Sequence, residues 1–494
     1  MFESAELGHR IPREVYRRRE PALRAELLEA QRELKAQARF PVLIVIGGVD
    51  GAGKGETVNL LNAWMDPRHI RTHAFPAPSD EERERPRMWR YWRVLPPRGT
   101  LGILFGAWHT DPIVERAART LDGAGFERRI EEVLRFEQMQ VAEGVLQLKS
   151  WFHLSRRDQK ARLEALSANR LTRWRVTRED WARFEQYDRF RKVSGEFLRR
   201  TSTAGAPWQV VEGLDPAYRS LTVGESLLAA LRDRLSRPDP VAPTRGPVPV
   251  RSIDRRNLLD ALRLRQPLGR EDYAVELERW QGRLARLSRD ARLRRHAVVA
   301  VFEGHDAAGK GGAIRRATAA LDARQYAVVP VAAPTEEERA QPYLWRFWRH
   351  VPRRGRFTLF DRSWYGRVLV ERVEGLCAES DWRRAYSEIN DFEAELAAHG
   401  VVVVKVWLAI GRDEQLVRFR ERERVPFKNH KITPEDWRNR RRWSAYADAV
   451  CDMVDRTSTD LAPWTLVEAD NKLYARVKVL RTLCERIESA IAAG

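Results

Sequence analysis

Two glycine-rich segments, each with a lysine and an internal aspartate, carry the clearest chemistry in this sequence. They read GVDGAGKG at 48–55 and GHDAAGKG at 304–311, and they lie 256 positions apart (304 − 48 = 256). An apolar run precedes each segment and a helix-forming run follows it, which is the context of a phosphate-binding P-loop. Loop N–H groups and the positive end of the helix then surround the phosphate oxygens. We predict phosphate contacts for Gly304, Gly309, Lys310, Gly311 and Lys54.

Both loops lack the Ser or Thr that usually follows the P-loop lysine and helps to hold Mg²⁺. Gly311 and Gly55 stand at that position. The loop aspartates Asp306 and Asp50 offer carboxylates that could ligate Mg²⁺ directly or through water. An Asx turn that only stabilises the loop is the alternative. We predict that Asp306 is a Mg²⁺ ligand.

A second acidic position follows the third predicted strand of the second half, where residues 361–367 read DRSWYGR. Asp361, at the end of a strand beside the P-loop strand, can face the same Mg²⁺ as Asp306. Arg362 and Arg367 can then make bidentate contacts with phosphate oxygens. A structural salt-bridge network is the alternative for the two arginines.

The first half lacks these groups at the matching positions. Phe105, Gly106 and Asp111 stand where the second half has Asp361, Arg362 and Arg367. Loss of a Mg²⁺ carboxylate removes the cation that neutralises a transferring phosphoryl group. We therefore predict that the first half is catalytically weak or inactive. Polyanion binding, support of the second half and assembly stay open as its roles, and the first is permitted by the basic residues kept there, Lys54, Arg90, Arg93 and Lys149.

An arginine-dense helix follows the fourth predicted strand of the second half. Arg418 and Arg422 lie at i and i+4 on one face of this helix. We predict a helical lid in which both side chains clamp a polyanion, with Lys428 further along the chain. A solvated charged face is the alternative. The first half keeps Arg162 for Arg418 but has Leu166 and Thr172 for the other two.

The 256-residue shift extends far beyond the loops and defines a duplicated domain. Tryptophans at 89, 92, 108, 151 and 181 recur at 345, 348, 364, 407 and 437 with no gap. We predict one repeat at 1–236, a Pro-rich linker at 237–250 and a second repeat at 251–494. Each is long enough to bury a full core.

Short β-branched runs alternate with helical stretches inside each repeat. In the second repeat the predicted strands are 297–302, 327–331, 357–360, 401–408 and 465–467. A helix is predicted at 12–39 in the first repeat, and another at 271–295 in the second. Near-continuous apolar strands between helices favour a parallel sheet covered on both faces. The predicted fold class is α/β, as tandem P-loop kinase-like domains, each with a parallel sheet, flanking helices and a helical lid.

Composition points to a polyanionic partner. Lys and Arg number 89 against 70 Asp and Glu, giving a formal charge of +19. Compositional drift toward Arg is the alternative. No apolar run is long enough to span a membrane, and three cysteines without CxxC spacing favour a reducing, cytoplasmic setting.

The GxDxxGKG loop, the segment at 361–367 and the runs KVWL at 405–408 and APW at 462–464 together resemble the polyphosphate kinase 2 family. The two-copy arrangement resembles the polyphosphate:AMP phosphotransferases within it. The resemblance implies Mg²⁺-dependent, in-line transfer of the terminal phosphate of inorganic polyphosphate to AMP, giving ADP. It also implies catalytic roles, which fall on Asp306, Lys310, Asp361, Arg362 and, less closely matched, Arg422 or Arg418.

Two other functions fit the residues. An ATP-dependent nucleotide kinase would use the same fold with an adenine pocket for the donor. A non-enzymatic polyphosphate or nucleic-acid binder would need only the basic surface, although Asp361 and Arg362 beside an intact loop argue against it in the second repeat. Nucleic acid is therefore not the expected partner, and assembly into a homo-oligomer is expected only from the resemblance.

Overall fold

The computed structural model describes residues 1–237 and 257–493, and its regular elements form two α/β repeats. Apart from Arg237, the predicted linker at 237–250 lies outside the described residues. Each repeat contains a five-stranded sheet in which every neighbouring pair is parallel. The predicted α/β fold class is confirmed.

The strands are rich in Val, Ile, Leu and Phe, residues that suit a pleated, buried surface. In the first repeat they are β1 Val42–Gly48, β2 Ile70–Ala74, β3 Leu101–Phe105, β4 Leu146–His153 and β5 Trp208–Glu212. In the second they are β6 Ala297–Gly304, β7 Tyr326–Pro330, β8 Phe357–Asp361, β9 Val401–Ala409 and β10 Trp464–Glu468. The five strands predicted for the second repeat are present, with ends shifted by at most two residues.

Helices connect the strands and cover the sheets. In the first repeat they are α1 Arg13–Gln37, α2 Lys54–Trp64, α3 Asp80–Arg83, α4 Trp89–Trp92, α5 Thr110–Ala117, α6 Gly123–Ala142, α7 Arg156–Ala168, α8 Arg178–Glu185, α9 Tyr187–Thr201 and α10 Pro216–Ser236. In the second they are α11 Arg270–Arg289, α12 Lys310–Thr318, α13 Glu336–Arg339, α14 Trp345–Trp348, α15 Val370–Glu374, α16 Glu379–Ala398, α17 Arg412–Arg424, α18 Pro434–Arg441, α19 Trp443–Thr457 and α20 Lys472–Ala493. The two helices predicted from sequence correspond to α1 and α11.

The strand that leads into each P-loop lies at the centre of its sheet. The orders are β2-β3-β1-β4-β5 and β7-β8-β6-β9-β10. On β6, Phe302 is in register with Asp361 on β8, and Gly304 with Leu408 on β9. The P-loop and Asp361 therefore lie at the same edge of the sheet, where α/β proteins bind ligands.

The inner strands of both sheets are buried, whereas the edge strands β2 and β7 are largely exposed. All nine residues of β9 are buried, as are the first seven of β6. Helices α11, α12 and α20 pack with β6 and β9 in one apolar core of the second repeat. This core fixes the strand ends that carry the site, because close-packed interiors leave side chains little freedom.

Contacts divide the chain into two compact units whose limits differ from those of the repeats. Among the described residues, the first unit takes 1–78, 90–237 and 335–345, and the second takes 79–89, 257–334 and 346–493. The segments 79–89 and 335–345 are related by the 256-residue shift. Within the second unit, Nε of Arg85 donates to the carbonyl of Val351 at 2.9 Å. A cut between the repeats would thus take residues 79–89 away from the second unit.

Among the described residues, no helix is both long and apolar enough to cross a membrane.

Candidate active site

The P-loop of the second repeat closes around its own lysine. Gly309 has a φ of 111° and is followed by Lys310, the first residue of α12. The ammonium group of Lys310 donates to the carbonyl of Gly304 at 2.8 Å. Gly304 has a φ of 152°, and a Cβ there would lie 2.5 Å from the carbonyl oxygen of Leu408. The loop can approach β9 this closely only with glycine at 304.

Asp306 is the loop residue with the richest set of contacts. Arg362 Nη2 donates to its Oδ1 at 3.1 Å, and Asn439 Nδ2, from lid helix α18, donates to its Oδ2 at 2.9 Å. Burial alone would raise the pKa of Asp306, but the positive charges of Lys310 and Arg362 outweigh it and lower the pKa. The carboxylate is therefore ionised and can serve as an oxygen ligand for a cation.

Asp361 ends β8 next to the residue that follows the P-loop lysine. A Cβ at Gly311 would lie 3.9 Å from Oδ2 of Asp361. The carboxylate thus stands against the side of α12 on which other P-loops carry their Ser or Thr. Within residues 1–237 and 257–493, no group of three or more metal-binding side chains is found. Two carboxylates suit Mg²⁺, which in phosphoryl-transfer sites takes its other ligands from water and substrate phosphates.

Arg362 is held in a backbone conformation that costs energy. Its φ is 65°, in the left-handed region that non-glycine residues avoid. The matching residue of the first repeat is Gly106, with a φ of 69°. The turn after the third strand therefore has the same backbone shape in both repeats, and only the second repeat places a charged side chain on it. Strain of this kind, about 1–3 kcal/mol, is found most often at functional sites.

A cavity of about 180 Å³ opens beside the P-loop. Four cations and one carboxylate line it: Arg418, Arg422 and Glu421 from α17, and Lys472 and Arg476 from α20. The guanidinium of Arg476 lies close to the start of α12, where a Cβ at Gly312 would be 3.5 Å from it. These cations and the start of α12 give the cavity a positive potential that suits a phosphate chain.

Asp306 and Arg362 line a smaller cavity of about 80 Å³, most of whose wall is apolar and aromatic. His305 stacks on Trp443 there, with ring centroids 4.5 Å apart and an angle of 5°. Trp443 begins α19, directly after the lid helix that supplies Asn439. The lid and the P-loop are thus connected through a ring pair and a carboxylate contact.

Two arginines predicted to bind phosphate are engaged elsewhere. Arg418 is buried, and its five N–H donors are directed to Glu414 and to the carbonyls of Ala307, Ala308, Ala469 and Asp470. It stabilises the loop, and all five donors already have partners within the protein. Its phosphate contact stays a prediction. Arg367 lies against Glu371 and Asp381, at 3.1 and 3.7 Å. These contacts match the salt-bridge alternative for Arg367.

In the first repeat, Asp50 is the counterpart of Asp306, and two cationic side chains of the protein bond its carboxylate. Lys54 donates to Oδ1 of Asp50 at 3.3 Å, and Nε of Arg183 donates to Oδ2 at 2.9 Å. Arg183 stands where the second repeat has Asn439. A guanidinium thus occupies one side of the carboxylate that, in the second repeat, receives a neutral amide.

The space that forms the basic cavity of the second repeat is filled in the first. Arg219, at the position of Ala475, donates to the carbonyl of Gly213 at 3.0 Å and to Oε2 of Glu56 at 2.6 Å. A Cβ at Gly53 would lie 2.1 Å from Nη1 of Arg219. At the matching Gly309, a Cβ would meet no atom of the described chain within 4 Å.

Two basic residues that the first repeat keeps are not available to a polyanion. Lys149 is buried, with its ammonium 2.6 Å from Glu137, and burial lowers the pKa of Lys149. Arg90 is also buried and donates to the carbonyl of Pro76 at 2.9 Å. The second repeat has the same buried pair in Lys405 and Glu393, at 2.7 Å. The lysine–glutamate pair therefore belongs to the shared fold.

Sequence reasoning did not single out Glu303, Ser363, Asn439, Lys472 or Arg476. Each is replaced by an unlike residue in the first repeat: Gly47, Ala107, Arg183, Pro216 and Ser220. A full position-by-position comparison of the repeats would have found all five.

Fold and site together define a class. A central parallel strand, a glycine loop closed around a lysine, an adjacent strand-end aspartate and a basic helical lid are the parts of a P-loop phosphotransferase. Comparison with known families then gives the particular one. The polyphosphate kinase 2 family matches residues 10–238 and 267–493, so both repeats, and the chain as a whole, belong to it.

Individual relatives match over the full length. A polyphosphate:AMP phosphotransferase of Pseudomonas aeruginosa is 57% identical over 496 residues, covering 99% of both chains. One of Acinetobacter johnsonii is 36% identical over 478 residues, covering 95% of this chain and 96% of its own. A crystal structure of a polyphosphate kinase 2 from Pseudomonas aeruginosa has a TM-score of 0.90 and 55% identity, with 100% of each chain covered.

Proposed function

We propose that this protein is a polyphosphate:AMP phosphotransferase whose chemistry takes place in the second repeat. Full-length relatives at 55–57% identity carry that name. The observation that supports the active half best is the group of Asp306, Lys310, Asp361 and Arg362 at one sheet edge beside a basic cavity. The first repeat has neither Asp361 nor Arg362 at the matching positions.

The reaction is a single in-line displacement. An oxygen of the AMP phosphate attacks the terminal phosphorus of polyphosphate, and the bond from that phosphorus to its bridging oxygen breaks. The products are ADP and polyphosphate shortened by one phosphate. No covalent intermediate on the protein is needed, because positioning and electrostatic stabilisation dominate phosphoryl transfer.

Different residues of the second repeat have different roles in this reaction. Lys310 and the N–H groups of the P-loop hold the transferring phosphate, and Arg362 neutralises charge that develops on it. Arg422, Lys472 and Arg476 line the cavity in which the rest of the phosphate chain would lie. Asp306 and Asp361 would hold Mg²⁺, which supplies further neutralisation of phosphoryl oxygens when bound.

The formal charge of +19 supports polyphosphate as the donor, since a polyanion gains from a basic surface. Cytoplasmic location is part of the proposal and draws on the three free cysteines, Cys377, Cys451 and Cys484. Assembly into a homo-oligomer stays a prediction.

Donor competition tests the proposal. ADP formation is measured with AMP and Mg²⁺, with either long-chain polyphosphate or ATP as the donor, and again after chelation of Mg²⁺. ADP formed from polyphosphate and lost on chelation is expected. Turnover with ATP alone would mean a nucleotide kinase, and polyphosphate binding without turnover would mean a binding protein.

A further inference from the structure

The backbone at Arg362 is pinned from both sides by residues of the P-loop strand. The N–H of Arg362 donates to the carbonyl of Phe302 at 3.0 Å. The hydroxyl of the next residue, Ser363, donates to Oε1 of Glu303 at 2.8 Å, and the same hydroxyl oxygen accepts from the N–H of Tyr365 at 3.3 Å. Consecutive residues of β6 thus hold consecutive residues of the turn.

The Glu303–Ser363 contact is shielded from water. Glu303 is 5% exposed and Ser363 is 1% exposed, so this hydrogen bond has little competition from solvent. Burial raises the pKa of Glu303, while Lys310 opposes that shift. The carboxyl group accepts from Ser363 in either protonation state. A buried hydrogen bond of this kind can offset the cost of a left-handed φ at a non-glycine residue.

The first repeat lacks every part of this arrangement at once. Gly47, Gly106 and Ala107 stand at the positions of Glu303, Arg362 and Ser363. A Cβ at Gly47 would lie 2.5 Å from Nε2 of His109, so the space for a side chain at this position is taken. Where glycine makes the turn without strain, the glutamate–serine contact is absent. The contact therefore occurs where an arginine must be held in the strained turn.

We propose that Glu303 is a positioning residue that acts through Ser363 to hold Arg362 in its left-handed conformation and direct its guanidinium toward the transferring phosphate. Glu303 itself need not contact substrate. Its contribution reaches the reaction only through Arg362, whose guanidinium lies 3.1 Å from Asp306 in this structure. This inference rests on the proposed phosphotransferase function.

A double-mutant cycle on the full chain tests the proposal. The variants are Glu303→Ala, Glu303→Gln, Ser363→Ala, Arg362→Ala and the double variant Glu303→Ala/Arg362→Ala. kcat, the KM for AMP and the affinity for polyphosphate are measured for each. Glu303→Ala and Ser363→Ala should each lower kcat about tenfold, the effect of one lost buried hydrogen bond to a charged group, with the KM for AMP unchanged.

Two comparisons separate positioning from general support of the fold. Glu303→Gln keeps an amide oxygen that can accept from Ser363, so most of the kcat should return. In the Arg362→Ala background, the further substitution Glu303→Ala should cost nothing, because the group that it positions is gone. Glu56→Ala, which removes a carboxylate beside the first P-loop, is the matched control and should leave kcat unchanged.

The proposal is overturned if Glu303→Ala lowers kcat by the same factor with and without Arg362, or if Ser363→Ala keeps wild-type kcat. If Glu303→Ala does not fold, Ser363→Ala and its combination with Arg362→Ala complete the same cycle. Wild-type protein that forms no ADP from polyphosphate would contradict the proposed function instead. Polyphosphate affinity then still tests the coupling, because Glu303→Ala should weaken it no further once Arg362 is absent.

Discussion

The two P-loops share a fold, a backbone path and a lysine, yet different groups surround their charges. In the second repeat, Asp306 accepts from the guanidinium of Arg362 and from a neutral amide of the lid, and a basic cavity adjoins the loop. In the first, Arg183 bonds the matching Asp50, and Arg219 fills the matching space with Glu56 as its partner. The first loop is satisfied by the protein itself, whereas the second presents its charges to a cavity.

The differences are coordinated and go beyond loss of single catalytic groups. Arg219 bonds the carbonyls of Ala52 and Gly213, which correspond to two carbonyls that Arg418 bonds in the second repeat. Arg162, the counterpart of Arg418, is thereby directed to Glu56 at 3.1 Å. A structural guanidinium is kept in both repeats, although different helices supply it. The comparison shows that the first loop is held by internal contacts to Arg219 and Arg183, two arginines that have no counterpart in the second repeat.

The largest expected effect is on catalysis in the second repeat. Asp361→Asn should lower kcat about 100- to 1,000-fold, because a carboxylate that would hold Mg²⁺ near the transferring phosphate becomes neutral. ADP formation from AMP and polyphosphate measures it. Asp50→Asn in the first repeat is the control and should leave kcat within about twofold, since Asp50 bonds Lys54 and Arg183 of its own repeat and the first repeat lacks the counterparts of Asp361 and Arg362. Equal losses would break the comparison.

Arg219→Ala should destabilise the protein without affecting turnover. Removal of the buried guanidinium leaves two carbonyls without a donor and should cost about 2–3 kcal/mol of unfolding free energy. Thermal unfolding followed by circular dichroism should show a melting temperature lower by several degrees. Unchanged stability would mean that the internal contacts contribute nothing. Adding Glu56→Gly places in the first repeat the residue that the second repeat has at Gly312. The double variant should empty the space beside the first P-loop but should not make the first repeat catalytic.

Stability should fall as the pH drops below neutral, because each repeat holds a neutral histidine near its loop, buried at His109 and partly buried at His305. Burial, aided by Lys149 and Lys54, lowers the pKa of His109 to about 3, and burial lowers that of His305 to about 4. The unfolded chain takes up these protons first, so their contribution is complete above the ordinary pKa of about 6.5 and declines below it. The loss should be about 1.4 kcal/mol per pH unit per histidine.

Melting temperatures measured between pH 7 and pH 5 test this. His109→Phe and His305→Val should each flatten the pH dependence. A slope that neither variant alters would contradict the assignment.

The smallest effect is expected in the basic cavity. Lys472→Ala combined with Arg476→Ala should raise the KM for polyphosphate about tenfold and weaken its dependence on ionic strength, since two charges near the phosphate chain are lost. Initial rates at two salt concentrations measure both quantities. Ser220→Ala, at the position matched to Arg476, is the control in the first repeat. A change in the KM for AMP alone would assign the cavity to the nucleotide instead.

Local sequence was sufficient to predict much of this molecule. The alternation of apolar strands with helices gave the parallel sheets, and the glycine loop after a central strand gave the position of Lys310. Asp361 could be placed because carboxyl ends of neighbouring parallel strands meet at one edge. These features depend on residues close together in the chain.

What sequence could not give depends on partners brought close only by folding. The sequence pattern predicts that Arg418 is a cation of the lid, but in the folded chain its guanidinium donates to the carbonyls of residues 307, 308, 469 and 470. From sequence, Lys149 is a basic residue that could bind a polyanion, but in the folded chain it forms a buried ion pair with Glu137 from α6. Arg219 comes to the first P-loop from a helix far along the chain. No local pattern distinguishes such buried ion pairs from surface charge.

One measurement tests the central claim most directly. ADP formation from polyphosphate and AMP is compared for wild type, Lys310→Ala and Lys54→Ala, with melting temperatures as a check on folding. The account predicts that Lys310→Ala abolishes turnover and that Lys54→Ala keeps it within about twofold, because only the second loop presents its charges to substrate. Equal loss in both variants would contradict it, and the first repeat would then share in catalysis.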